Sequence, residues 1–361
     1  MKPRIGLIAR SDNSGLGNQT TEFYRHMKPA KTMVIDLSDY NHMQQYPERF
    51  SEIEGTTAAV FVKGFPVYEA IDIFLRDIDI VFTCETPYNY VMWQMARERG
   101  IKIVQQYNWE FLDYLIEWGR DYPKPDLFAS PSAWHHDTLQ FENKLRLPVP
   151  VDRERCKYRT RHDPTQFLHI VGNAATHDRN GTNTVLEAVQ YVKSPEFRLY
   201  VRVQKIDDIE ALKAKLLPDE TRVEFLYEDI ENYWDLYDKG NILLMPRRFG
   251  GLCLPMQEAA STGMPIITTD ISPNNDWLPK EWLLPARQID EFTTREPVAV
   301  YTAEPQDLAA KCDQFIRLGL NNMKFCNLQA NNCARPLDWR TMEDEYRQVF
   351  IKLLRGELVY G

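Results

Sequence analysis

The stretch Met245-Pro246-Arg247-Arg248-Phe249-Gly250-Gly251-Leu252-Cys253-Leu254-Pro255-Met256-Gln257-Glu258-Ala259-Ala260-Ser261-Thr262-Gly263-Met264-Pro265-Ile266-Ile267 decides the fold. A short apolar run ends at Pro246, as a buried strand does. A Gly-Gly turn follows. Pro255 suits the first turn of a helix, where no amide hydrogen is needed. Gly263 stops that helix, and Ile266 opens a second apolar run. Strand, turn, helix and strand in so little chain make a βαβ unit on a parallel sheet. Gly250 and Gly251 free the turn to present successive main-chain amides at a helix N-terminus, a natural diphosphate cradle. Glu258 falls early in the helix. A carboxylate there can accept two hydroxyl hydrogen bonds, as from a ribose, or simply complement the helix dipole.

Working outward, the same alternation fills the 361 residues. Apolar β-branched runs at 5–9, 33–37, 58–62, 80–83, 101–105 and 127–130 read as strands. Helical-period segments at 20–27, 68–75 and 88–99 lie between them. The pattern pauses at Leu147-Pro148-Val149-Pro150-Val151. It resumes with strands at 167–171, 198–203, 223–226, 242–245 and 266–269, and helices at 182–191, 206–216, 230–237 and 255–261. The reading is α/β with two Rossmann-like domains, 1–151 and 152–335, and a final amphipathic helix within 336–361. Domains of this kind bind ligands at the C-terminal ends of their strands, at a cleft between the two.

Two more strand-to-helix turns qualify on that criterion. Ser11-Asp12-Asn13-Ser14-Gly15-Leu16-Gly17-Asn18 follows the first strand. It is neither Gly-x-Gly-x-x-Gly nor a P-loop, so the dinucleotide and Walker readings fail. A structural turn and a ligand loop both fit it. Gly172-Asn173-Ala174-Ala175-Thr176-His177-Asp178-Arg179-Asn180-Gly181 follows the first strand of the second domain. Arg179 there can pair bidentately with a phosphate, or be a solvated loop residue.

Charge and cysteine content narrow the class. Lys and Arg number 43 against 52 Asp and Glu, a net charge of −9, which disfavours coating nucleic acid or an anionic membrane. No apolar run approaches the roughly 20 residues of a membrane span, and residues 1–10 are too short an apolar stretch for a signal peptide. Six scattered cysteines show no zinc spacing. A reduced, cytoplasmic protein without a structural metal is expected, in the host cytoplasm if a phage encodes it. The linker Arg153-Glu154-Arg155-Cys156-Lys157-Tyr158-Arg159-Thr160-Arg161-His162 carries five basic residues at alternate positions. If extended, it puts them on one face, where they could track a phosphate backbone.

The element order, and above all residues 245–270, resembles the GT-B fold of glycosyltransferase family 4. The family pattern is Glu-x-Phe-Gly-Leu-x-x-x-Glu-Ala, followed by Gly-x-Pro-Val-Ile. The resemblance implies that Glu258 holds the nucleotide ribose. Gly250 stands where the family's first Glu contacts the donor sugar, and Cys253 stands where the motif has Gly. Gly251, Leu252 and Cys253 then offer amides to the diphosphate or sugar. Asn173 stands at the family's phosphate-binding Arg. The second cation falls at Asn180 or, shifted by one, at Arg179, which alone brings positive charge. Arg202 and Arg248 are further donor-binding candidates. Gly17 matches the family's N-terminal glycine loop, and Asn108 sits about where relatives place a His on the donor sugar. The final segment resembles the helix that crosses back to the first domain.

What this implies is a metal-independent retaining transferase with no cofactor beyond a nucleotide-diphosphate sugar substrate and no dedicated protein base. Arg179, Gly17 and Asn108 are the catalytic candidates. Lys63, Glu85, Trp109 and Glu110 lie at first-domain strand ends and could touch sugar or acceptor, while His135 and His136 read as surface or capping residues at a helix start. The acceptor hydroxyl is not named by the sequence; hydroxymethylated bases of phage DNA are one alternative. A catalytically inactive sugar-nucleotide-binding protein is another, motivated by Gly250 and Asn173, and a sugar-nucleotide epimerase is a third.

Overall fold

Seven parallel strands form one sheet: β1 Ile5–Arg10, β2 Lys31–Asp36, β3 Ala59–Lys63, β4 Ile80–Cys84, β5 Lys102–Gln106, β6 Leu127–Ser130 and β7 Lys144–Arg146. Their order is β3-β2-β1-β4-β5-β6-β7. Six more, also parallel, form a second sheet: β8 Gln166–Gly172, β9 Arg198–Val203, β10 Val223–Leu226, β11 Ile242–Met245, β12 Ile266–Thr269 and β13 Leu283–Leu284. These lie in the order β10-β9-β8-β11-β12-β13. The structure, a computed structural model, describes residues 2–51, 59–111, 121–172, 178–203, 208–227, 230, 233–294 and 296–357.

Each sheet belongs to its own unit. The first comprises Met1–Pro150, Thr294–Glu296 and Trp339–Gly361; the second comprises Val151–Thr293 and Pro297–Asp338. The central strands are apolar on both faces, as sheets sandwiched by helices require. β4 and β11 are buried along their whole length. Helix Trp339–Leu354 lies in the first unit. It presents Trp339, Tyr346 and Phe350 to a cluster with Phe23 of helix Gly15–Met27 and Phe82 of β4. Among the elements of the second unit not read from the sequence are the antiparallel hairpin β14 Arg287–Thr293 with β15 Pro297–Thr302, and the helical stretch Pro305–Ala334, which breaks at Gly319 (φ 71°, ψ 173°).

Three local expectations need correction. Residues 233–237 form a 3₁₀ turn, Tyr233–Tyr237, rather than the end of an α-helix. Residues 131–138 are bends and turns, so His135 and His136 start no helix. His136 Nδ1 bonds Ser130 Oγ at 2.6 Å, and His135 stacks on Trp109 with centroids 4.3 Å apart. The basic linker is not an extended strip either. Arg153 donates to Asn331 Oδ1 at 2.7 Å, Arg155 lies over Trp234 at 4.0 Å, and Arg159 pairs with Asp238. Arg161 is buried and donates to the carbonyls of Gly240 and Tyr237 and to Thr262 Oγ1. These cations bind their own unit in place of a phosphate backbone.

Candidate functional site

β8 and β11 are neighbours, and the strand order runs outward from them in both directions. The loops leaving their C-terminal ends therefore diverge and open a crevice, the ligand position of doubly wound sheets. Both loops are ones the sequence singled out, and they meet. The Arg248 amide donates to the Arg179 carbonyl at 2.9 Å. Gly181 has φ 72°, and a Cβ there would lie 2.2 Å from the Pro246 carbonyl oxygen. Glycine alone permits that approach. Asn180 is tied back, its Nδ2 donating to the carbonyls of Ile170 and Val171 at 3.1 Å each. Arg179 is the exposed cation of this loop, its guanidinium 5.0 Å from the centre of the Phe249 ring. Asn173 lies outside the described residues.

The loop after β11 turns at Gly250, whose φ is 111°. The five consecutive amides from Gly250 to Leu254 have no acceptor among the described residues. They lead into helix Leu254–Ser261, where Cys253 at the N-cap makes no side-chain hydrogen bond. A run of unpaired amides at an uncapped N-terminus is an anion site. Gly250 and Gly251 are buried, and Leu252 and Cys253 are half-buried.

Glu258, 6% exposed, sits one turn into that helix. Its Oε2 accepts from Tyr233 Oη at 2.9 Å and also from Tyr237 Oη. Burial, then the adjacent Glu258 carboxylate, pushes both tyrosine hydroxyls well above their ordinary pKa, so they stay protonated donors. The sequence pointed to Glu258 as a hydroxyl acceptor. It did not show that two side-chain hydroxyls share one of its oxygens. Arg202, buried at the end of β9, donates to the Asp235 carbonyl at 3.1 Å and so braces the turn that carries these tyrosines.

Arg248 is held by the hairpin. Its Nε donates to the Tyr301 carbonyl at 3.1 Å, and its own carbonyl accepts from the Tyr301 amide at 2.9 Å. Phe249 meets Phe292 edge-on at 5.0 Å. β14 and β15 therefore clamp residues 248–249, a role no pattern in the sequence announced. Arg247, which the sequence reading passed over, is buried here too, at 4% exposure.

The remaining candidates lie in the first unit. Gly17 has a packing reason to be glycine, since a Cβ there would stand 1.9 Å from the Asp12 carbonyl oxygen. Asp12 is buried, pairs with Arg10 and receives the Ser14 amide at 3.0 Å. Asn108 Nδ2 donates to Glu85 Oε1. Lys63 pairs with Asp39 at 3.0 Å on the surface. The Asp-x-Asp triplet typical of metal-dependent transferases does occur, as Asp77-Ile78-Asp79. It precedes β4, at the sheet end opposite the strand C-termini, and Asp79 there accepts from the Arg4 amide at 2.8 Å and pairs with its guanidinium at 3.1 Å.

Comparison with known proteins bears on this second unit. The family model of glycosyl transferases group 1 matches residues 165–316. No curated protein matches the chain in sequence. Solved structures share its fold at low identity. A glycosyltransferase from Rickettsia africae ESF-5 has a TM-score of 0.69 and 11% identity, over 99% of this chain and 100% of that one. Sucrose-phosphate synthase from Thermosynechococcus elongatus has 0.66 and 14%, over 98% and 100%. An α,α-trehalose-phosphate synthase (UDP-forming) from Burkholderia xenovorans has 0.61 and 10%, over 97% and 100%. Among the described residues, no helix is long and apolar enough to cross a membrane. With a group 1 domain match over residues 165–316 and two Rossmann-like units of the GT-B type, the chain is a glycosyltransferase.

Proposed function

We propose that this glycosyltransferase, resembling family 4, takes a sugar from a nucleoside-diphosphate donor and passes it, with retention and without a metal, to a hydroxyl acceptor. The observation that carries this reading is the run of five unpaired amides beside Arg179, one helical turn from the buried carboxylate of Glu258. The bond between the anomeric carbon and the diphosphate oxygen breaks, and its electron pair leaves with the diphosphate. A new bond forms to the acceptor oxygen. Amides and a guanidinium fixed around the departing diphosphate stabilise it without reorganising; donors of this kind are worth about 2.7–4 kcal/mol each at comparable oxyanion sites. Arg179 takes the developing negative charge, the amides of residues 251–253 take the diphosphate, and Glu258 takes the ribose. Arg202 supports the ribose end and Arg248 the sugar end. The UDP-forming name of a structural neighbour favours UDP as the first base to test. Gly17 and Asn108 are proposed to take part in the transfer. The location proposed is cytoplasmic.

The test is calorimetry with UDP, GDP and ADP, followed by mass-spectrometric screening of their sugars against hydroxyl acceptors with and without EDTA. Glu258→Ala should weaken binding of the accepted nucleotide by about 1–3 kcal/mol. Undiminished affinity in that variant removes Glu258 from the site. Binding without transfer or donor hydrolysis leaves only a sugar-nucleotide-binding protein. Transfer lost in EDTA and restored by a divalent ion ends the metal-free reading.

A further inference from the structure

Arg247 is 4% exposed, yet its guanidinium has a single acceptor among the described residues, the Phe249 carbonyl, 3.1 Å from Nη2. It pairs with no described carboxylate. A buried cation without a counter-charge is destabilising, and proteins ordinarily pair such groups. Gly250 shows what the guanidinium is doing there. A Cβ built on Gly250 would stand 2.3 Å from Arg247 Nη2 and 3.8 Å from Arg179 Cδ. The guanidinium thus fills the space that any side chain at position 250 would enter. Arg247 and Arg179 flank one point, and that point begins the run of five unpaired amides.

We propose that Arg247 is the buried oxyanion-binding residue of the donor site, that it takes the terminal phosphate of the diphosphate, and that position 250 is glycine to admit it. This rests on the nucleotide-sugar reading above. The order along the chain supports the assignment. Glu258 marks the ribose end, the amides of residues 254 back to 251 come next, and Gly250 with its two arginines stands at the far end. Two guanidinium groups match the charge of a diphosphate. The carboxylate of a uronic-acid sugar offers the same oxyanion chemistry, and the experiment separates the two sources.

Wild type, Arg247→Met, Arg247→Lys and Gly250→Glu are compared by calorimetry. The ligands are UMP, UDP, GDP, ADP, UDP-glucose, UDP-glucuronate and inorganic pyrophosphate, and each ligand-free protein is also melted. Arg247→Met should lose about ten- to a hundredfold in affinity for UDP, as for a lost charged hydrogen bond, with UMP changed no more than about threefold. Arg247→Lys should recover part of the loss. Ligand-free Arg247→Met should melt no lower than wild type, because an apolar chain replaces an uncompensated buried cation. Gly250→Glu should drive the Arg247 guanidinium out of the space it fills and abolish UDP binding, with a lowered melting temperature because φ at position 250 is 111°.

Equal loss for UMP and UDP, or no loss for either, overturns the proposal. So does a loss confined to UDP-glucuronate, which assigns Arg247 to a sugar carboxylate. A lowered melting temperature with unchanged UDP affinity makes Arg247 structural and overturns it as well. If wild type binds pyrophosphate through Arg247 but no nucleotide, be it UDP, GDP or ADP, the nucleotide reading fails while the oxyanion site stands. If nothing binds, both fail.

Discussion

Glu258 is held by hydroxyls from a different segment, and that coupling can be measured. Tyr237 is fully buried and Tyr233 partly so, and both donate to the same carboxylate oxygen. Removing the acceptor leaves two hydroxyls unsatisfied in a desolvated site, at a cost of about 1–3 kcal/mol each. Glu258→Ala should therefore lower stability as well as nucleotide affinity. In a Tyr237→Phe background the stability cost should shrink, giving a coupling energy of about 1–3 kcal/mol in a double-mutant cycle by urea denaturation. Additive losses would show that the hydroxyl and the carboxylate do not depend on each other. Glu258 was legible in the sequence because its place in the first turns of a helix fixes its direction. Tyr233 and Tyr237 were not, because residues 233–237 form a 3₁₀ turn whose side chains follow no 3.6-residue period. Arg247 was illegible for another reason. In Arg247-Arg248 nothing distinguishes a buried guanidinium from a solvated one, and only the empty Cβ position of Gly250 reveals it.

At the scale of elements, the parallel strands were readable because burial on both faces leaves uninterrupted apolar runs. β9, β10, β11 and β12 fall where the runs fall. The hairpin was not readable: β14 is almost wholly exposed, with Gln288, Asp290 and Glu291 in it, so its sequence looks like loop. The junction between β8 and β11 carries two predictions. Gly181→Ala should separate the two loops, since the new methyl would collide with the Pro246 carbonyl and sit at positive φ. Strain of this kind costs on the order of 1–3 kcal/mol. Nucleotide affinity should fall along with stability, whereas unchanged affinity would uncouple loop contact from binding. The second concerns His169, fully buried on β8. Its Nδ1 donates to the Leu244 carbonyl on β11 at 2.8 Å, and its Nε2 accepts from Thr182 Oγ1 at 2.9 Å. Burial holds its pKa below the ordinary histidine value, so the ring stays neutral. The unfolded chain, with a histidine pKa of about 6.5, takes up that proton first as pH falls. This stability is thus fully present above about pH 6.5 and is lost below it. His169→Gln should flatten the decline in urea midpoint between about pH 6.5 and 5. A wild-type slope retained in the variant would assign the acid sensitivity to other groups.

At the scale of the whole molecule, the chain leaves the first unit at Pro150 and returns for good at Trp339, so its last helix completes the core built from its first strands. That core is aromatic. Phe23 and Phe82 stack at 4.3 Å, Phe350 lies 5.9 Å from Phe82, and Tyr346 Oη donates to the Pro148 carbonyl at 2.9 Å. The second unit buries a separate cluster around β8, β11 and β12, with Phe167, Leu244 and Ile267 in it. Because Phe350 is fully buried and none of its cluster belongs to the second unit, its loss should be felt on one side only. Phe350→Ala should destabilise the first unit by about 3–5 kcal/mol, the usual cost of emptying a buried phenylalanine site. Amide hydrogen exchange reads this directly, since opening free energies differ between cooperative units of one chain. Exchange along β4, Ile80–Cys84, should accelerate strongly, while β11, Ile242–Met245, keeps its protection. Nucleotide affinity, which we propose the second unit supplies, should stay within a few-fold of wild type. Equal acceleration in both strands would mean that the two units unfold as one. The donor site would then draw its stability from the C-terminal helix as well as from its own sheet.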